Sequence, residues 1–142
     1  MIKLILASIA ITASAGQIDQ SFIKTVGKIE SNNNTGAIGD SGRARGEFQF
    51  WKPAWDQINA SHKARGEPQY DWKTYAHDKR IASQYAYEYL SWIEVSLRRR
   101  LNRQPSKAEI YAGYNLGLGS FAKRGYDLTK VPESTKRAIS KL

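Results

Sequence analysis

Gly36, Gly39, Gly42 and Gly46 fall within eleven residues of one another, a density of glycine that no continuous helix or long strand survives. The chain before and after them is written in a helical period. Ile18, Phe22, Val26 and Ile29 recur at spacings of three and four, so they form one face of a helix opened by Asp19 or Ser21. Glu30 falls at the C-terminal end of that helix, because Asn32-Asn33-Asn34-Thr35-Gly36 follows at once and stops it. The glycine-rich stretch then has room for short hairpin strands only. The expected fold class is therefore α+β, mainly α, with one small hairpin interrupting a helical chain.

Downstream, Pro53 at a first helical position opens a second helix through Asn59, and Ser61 to Lys73 reads as loop, punctuated by Gly66, Pro68 and Asp71. From about Thr74 to Asn102 the spacing predicts one long helix, with Ile81, Tyr85, Tyr89, Trp92 and Leu97 on a broad apolar and aromatic face. Arg98-Arg99-Arg100 at its end suits the negative pole of the helix dipole. Ser106-Lys107-Ala108-Glu109 is a capping box, so another helix starts there, runs through Ile110 and Tyr111 into Tyr114-Asn115, and ends at Gly117 and Gly119. A last short helix is expected from Pro132 towards Leu142.

The N-terminal stretch has the pattern of a secretory signal: Lys3 in a thin positive region, an apolar run from Leu4 to Thr12, and the small-x-small triplet Ala13-Ser14-Ala15. Residues 1–15 are expected to be a signal peptide cleaved before Gly16, leaving residues 16–142 as one domain. The apolar run is short for a span of about 20 residues, so no stable membrane insertion is expected after cleavage. With no cysteine, neither a disulfide framework nor a lipid-modified thiol is available, and core burial alone must hold an exported chain together. The formal charge is +9 and drops to +8 when Lys3 is removed, a balance that suits nucleic acid, an anionic membrane or an anionic wall polymer. Export weighs against nucleic acid and leaves the wall.

Taken alone, Glu30 is an ordinary helix-end carboxylate. Other blocks change that reading. Glu30-Ser31, then Gly46-Glu47-Phe48-Gln49, then Ala112-Gly113-Tyr114-Asn115-Leu116-Gly117 occur in that order. Together they resemble the soluble lytic transglycosylases of the lysozyme-like superfamily, over the chain from about Phe22 to its C-terminus. The resemblance implies a lysozyme-like fold with its hairpin lobe beside an active-site cleft, and peptidoglycan glycan strands as the substrate. It implies that Glu30 protonates the oxygen joining N-acetylmuramic acid to N-acetylglucosamine, then draws a proton from the sugar's own 6-hydroxyl to leave a 1,6-anhydro product. It further implies that Ser31, Gln49, Tyr114 and Asn115 contact substrate, with Tyr114 near Glu30. A carboxyl group that must stay protonated needs an apolar, partly dehydrated setting.

The chain also departs from the family pattern. Arg43 stands where a glycine is common, Glu47 stands at an apolar position, and Gly39-Asp40-Ser41-Gly42 is similar instead to a variant shared with invertebrate-type lysozymes, where an Asp assists hydrolysis. Asp40 is thus the candidate second carboxylate, or else the residue of an Asx-turn. Gln49 either orients a sugar acetamido group or pins the hairpin backbone, and Asn115 either meets sugar or caps its helix. Glu47 is expected to face solvent if Phe48 faces inward. The tail Val131-Pro132-Glu133-Ser134-Thr135 is similar to the family's Pro-x-Glu-Thr segment with Ser134 in place of Glu, and Ala138 occupies the place of a further cleft tyrosine. Trp51, Trp55, Tyr70 and Trp72 flank the motifs as sugar-stacking candidates, at least half of them expected in the core.

His62 and His77 have no Cys or carboxylate at metal-ligand spacing, so neither a metal nor any other cofactor is expected. The expected protein is an exported, monomeric, periplasmic or extracellular lytic transglycosylase. A lysozyme-type muramidase using Glu30 and Asp40 is the nearest alternative. An inactive wall-binding module and a basic secreted DNA-binding protein represent other classes.

Overall fold

The computed structural model describes residues 16–142; the expected signal peptide, residues 1–15, lies outside the described residues. Helix α1 (Gln20–Ser31) starts where the Asp19 side chain accepts from Phe22 N at 2.7 Å, and it buries Phe22, Ile23 and Val26. Asn32 ends it in the left-handed conformation, φ 57°, its N–H returning to the Lys28 carbonyl, so Glu30 sits in the last turn as expected.

Three two-residue strands follow, β1 (Ile38–Gly39), β2 (Ala44–Arg45) and β3 (Phe50–Trp51), in an antiparallel sheet with Gly39 opposite Ala44 and Ala44 opposite Trp51. A 3-10 turn over Asp40–Gly42 joins β1 to β2. The expected hairpin is present and gains a third strand. Gly46 packs so closely on the Ala76 carbonyl that an added Cβ would stand 1.7 Å from its oxygen, at a φ of +78° that already favours glycine.

Helix α2 (Lys52–Ala64) has Pro53 in its first turn and continues past Asn59, where a loop was expected from Ser61. The reason is His62: buried with Trp55 and Ile58, it extends the inward face at spacings of three and four, although it is polar. The expected long helix begins later than Thr74. A single turn, α3 (Trp72–Tyr75), is capped by Asp71, and α4 (Lys79–Leu101) is capped afresh by Asp78, whose carboxylate accepts from Ile81 N at 2.8 Å. Hydrophobic period runs through both pieces and does not register the break.

Helix α5 (Lys107–Leu116) carries both bonds of the capping box, Glu109 N to Ser106 Oγ at 3.1 Å and Ser106 N to Glu109 Oε1 at 2.9 Å. It ends at Gly117, but Gly119 is no terminator: it lies inside α6 (Leu118–Lys123), which starts at once. Last comes α7 (Glu133–Ile139), shorter than expected and opened by Pro132. Helix α4 is the axis of the molecule, with α1, α2 and α5 packed on it around buried Trp55, Tyr85, Leu90, Ile93, Ile110 and Tyr111. Close approach of α5 to α4 requires Gly113, since a Cβ there would come 2.9 Å from Ile93 Cγ2. This packing sets α5 against the end of α1, with the small sheet beside them, in the mainly helical, lysozyme-like arrangement. Among the described residues no helix is long and apolar enough to cross a membrane.

Candidate active site

Between the sheet, α2, α4 and the end of α5 lies a cleft of about 540 Å³ lined by Glu30, Asp40, Gln49, Phe50, Trp51, Pro53, Ala54, Tyr89, Tyr114, Asn115, Leu116 and Gly117. Five of the six expected site residues thus gather on one surface: Glu30, Asp40, Gln49, Tyr114 and Asn115. Ser31 faces elsewhere. Its hydroxyl donates to the Glu47 carbonyl at 2.7 Å and accepts from Asn34 N at 3.0 Å, which ties the end of α1 to the loop between β2 and β3.

Glu30 is raised above the ordinary carboxylate range, first by burial and further by the charge of Asp40. One interaction opposes them: the Tyr111 hydroxyl donates to Glu30 Oε1 at 2.7 Å. The reading from sequence put Tyr114 beside Glu30, and the residue bonded to it is Tyr111, one turn earlier on α5. Spacing of three places both tyrosines on one helix face, which was the available signal. Tyr114 instead donates to the Phe48 carbonyl at 2.6 Å, anchoring α5 to the loop that carries Gln49. Burial, together with the charge of Glu30, raises both phenols well above their usual range, so each stays a hydrogen-bond donor.

Asp40 lies at the exposed rim. It has a positive φ of 50°, followed by Ser41 at 57° and Gly42 at 87°, and three such residues in sequence turn its carboxylate towards the sheet. There Oδ2 accepts from Trp51 Nε1 at 3.1 Å, while the Arg43 guanidinium sits 4.9 Å from the Trp51 ring centre. Among the described residues the side chain makes no Asx-turn; the turn is closed by Arg43 N on the Asp40 main-chain carbonyl.

Gln49 both lines the cleft and pins the loop, its Nε2 donating to the Gly46 carbonyl at 2.9 Å. Its Oε1 lies so close to Gly39 that a Cβ there would be 2.3 Å away. Glu47 does not face solvent: it and Phe48 are both buried, at 4% and 1% exposure, because residues 46–49 form a turn and strand alternation does not apply to them. The Glu47 side chain packs on Gly27 of α1.

Asn115 is the penultimate residue of α5 and not its cap, which is Gly117. The buried Thr135 hydroxyl donates to Asn115 Oδ1 at 2.7 Å. This fixes the amide with its N–H₂ group on the side of the Tyr111 hydroxyl, on which it acts as a hydrogen-bond donor. No role had been expected for the tail, yet Thr135 orients a cleft residue. Of the four flanking aromatics only Trp51, 43% exposed, lines the cleft; Trp55 is fully buried, and Trp72 donates to the Phe50 carbonyl at 2.9 Å. The aromatic surface is continued by Tyr89, which stacks on Trp92 with ring centres 5.7 Å apart.

His62 is not isolated, contrary to the sequence reading. The fold brings its Nε2 to 2.6 Å from Glu88 Oε2 and 3.9 Å from Glu67 Oε2, a proximity hidden by a separation of 26 positions in the first case. Arg65 lies across the same two acids, 2.8 Å from Glu67 Oε2 and 3.1 Å from Glu88 Oε1, so a guanidinium already balances their charge. His77 meets only the Thr35 carbonyl through Nδ1, at 2.8 Å.

The family described as "Transglycosylase SLT domain" matches residues 7–134. No curated protein and no solved structure matches the chain. The match spans most of the sequence and contains every residue of the cleft, and the chain belongs to the transglycosylase SLT domain family, whose lytic action is on peptidoglycan.

Proposed function

We propose that this protein is an exported lytic transglycosylase that cuts the β-1,4 bond between N-acetylmuramic acid and N-acetylglucosamine with Glu30 as its one indispensable carboxyl group. The observation that carries the reading is the setting of Glu30: half-buried at the cleft, raised in pKa, and held through Oε1 by Tyr111. With Oε1 occupied by a donor, the acidic proton resides on Oε2, which is free to give it to the leaving glycosidic oxygen. As the C1–O bond breaks, the 6-hydroxyl oxygen of the same muramoyl unit closes on C1 and its proton passes to the Glu30 carboxylate. The acid is thereby regenerated and no water is consumed. Asn115, its amide held by Thr135, borders the cleft with a second proton on its N–H₂ group for an acetamido carbonyl, and Trp51 and Tyr89 offer flat faces for pyranose rings.

A second reading has its own observation. Asp40 borders the same cleft, and its charge is felt at Glu30, as a hydrolase with two carboxylates would require. The tie to Trp51 favours a rim or orienting role for Asp40 over activation of water. Digestion of purified peptidoglycan separates the possibilities: anhydro-ended fragments support the first reading, reducing ends support the second, and no release of fragments leaves a wall-binding module. Export is part of the proposal and is supported by the residue pattern of positions 1–15.

A further inference from the structure

Glu94 is a buried carboxylate far from the cleft, on the face of α4 that meets the start of the described chain. Its side chain is 5% exposed. Three donors converge on one of its oxygens: Gln17 N at 2.7 Å, Gln104 Nε2 at 2.6 Å and, more weakly, Arg98 Nη2 at 3.4 Å, all to Oε1. Among the described residues no donor is bonded to Oε2, and that oxygen points at Gly16. A Cβ built on Gly16 would stand 3.0 Å from Oε2 and 3.4 Å from Oε1, a tight contact that would push the carboxylate back by a few tenths of an ångström. A buried carboxylate with one oxygen saturated, only a long ion pair to Arg98 and its other oxygen turned to a backbone can take a closer cation.

We propose that Glu94 is the receptor for the α-ammonium group created when the chain is cleaved between Ala15 and Gly16. A signal peptidase adds water across that peptide bond, leaving a carboxylate on Ala15 and an ammonium on Gly16. The nitrogen of Gly16 is about 2.5 Å from its own Cβ position by ordinary bond geometry, and rotation at the freed end brings it onto Oε2. Cleavage thus turns a neutral amide into a second cation, closer to Glu94 than Arg98 is, and the mature N-terminus locks onto α4 and the Gln104 loop. Gly16 is both the residue expected after the small-x-small triplet and the one whose missing side chain leaves the carboxylate undisturbed. The inference needs the export reading and not the lytic one; lytic activity enters neither readout below.

The test starts with N-terminal sequencing of the protein recovered after export, which should begin at Gly16. Thermal unfolding is then compared for chains beginning at Gly16 and at Ser14, each with and without Glu94→Gln. Glu94→Gln should lower Tm by at least about 5 °C in the Gly16 form, the scale of one kcal/mol or so in a domain of this size, and by less than half as much in the Ser14 form, where the ammonium is two residues away. Should the variant not fold, the wild-type pair decides: the Gly16 form must unfold at the higher temperature, and its terminal amine must react with acylating reagent at least tenfold more slowly than that of a glycine-ended peptide. A different N-terminus, equal losses in the two forms, or an amine as reactive as the free peptide's would overturn the proposal.

Discussion

Replacing Tyr111 by Phe removes one oxygen from the molecule, the donor 2.7 Å from Glu30 Oε1. The ring itself is buried in the core between α4 and α5, so the apolar packing is kept. A hydrogen bond to a charged acceptor is worth about 1.5–3 kcal/mol. If that energy positions Glu30 for both proton transfers, its loss should lower the plateau rate of wall cleavage by roughly 10- to 100-fold, at about 1.4 kcal/mol per factor of ten. The sign of the pH effect follows from the same bond. Tyr111 favours the carboxylate, so without it the opposing influences of burial and Asp40 act alone and Glu30 holds its proton to higher pH. The alkaline limb of the rate profile should move up. The assay is clearing of purified peptidoglycan at constant ionic strength, scanned from about pH 4 to pH 9, with Tm recorded for each protein. Simple loosening of the core would lower both Tm and rate without moving the limb. An unchanged plateau, or a limb that stays in place or moves down, would refute the assignment of Tyr111.

Glu30→Gln should leave the fold intact and reduce turnover at least about a hundredfold in the same assay. It should also raise Tm at neutral pH: Glu30 is a weaker acid in the folded chain than in the unfolded one, so the folded state loses stability as pH rises from the unfolded value through the raised folded one, a loss Gln does not suffer. The gap should close below about pH 4, where both states carry the proton; a Tm difference independent of pH counts against a half-buried, raised Glu30. Asp40→Asn removes a charge that raises Glu30, so the alkaline limb should move down while substantial activity remains, and a dead enzyme would point to the hydrolytic reading. Gly46→Ala forces a Cβ to 1.7 Å from the Ala76 oxygen at positive φ; strain and overpacking together should cost at least about 3 kcal/mol, read as a lower midpoint in urea unfolding, and an unchanged midpoint would show that the loop is not held there.

Local chemistry made part of this molecule legible in its sequence. The capping box at Ser106 and the α1 face from Phe22 to Ile29 state their own structure, because the bonds that define them span three or four residues, whereas Ile18, expected on that face, precedes the Asp19 cap. Glu30, Asp40, Gln49, Tyr114 and Asn115 were found through separated motifs, and the fold gathers them at one cleft. What escaped depends on contacts across long stretches of chain. Tyr111 and Glu30 are 81 positions apart, and Thr135 reaches Asn115 from a different helix. Glu47 was misread because alternation was applied to a turn. The break between α3 and α4 was missed because Asp71 and Asp78 are two N-caps within one apolar period, and hydrophobic spacing does not see caps.

The most direct measurement is mass analysis of the fragments released from purified peptidoglycan by the wild-type protein. Transfer to the sugar's own 6-hydroxyl, with Glu30 as acid and then base, gives muropeptides ending in 1,6-anhydro-N-acetylmuramic acid, one water lighter than hydrolytic products. Fragments with reducing ends, together with loss of activity in Asp40→Asn, would contradict the single-carboxylate mechanism.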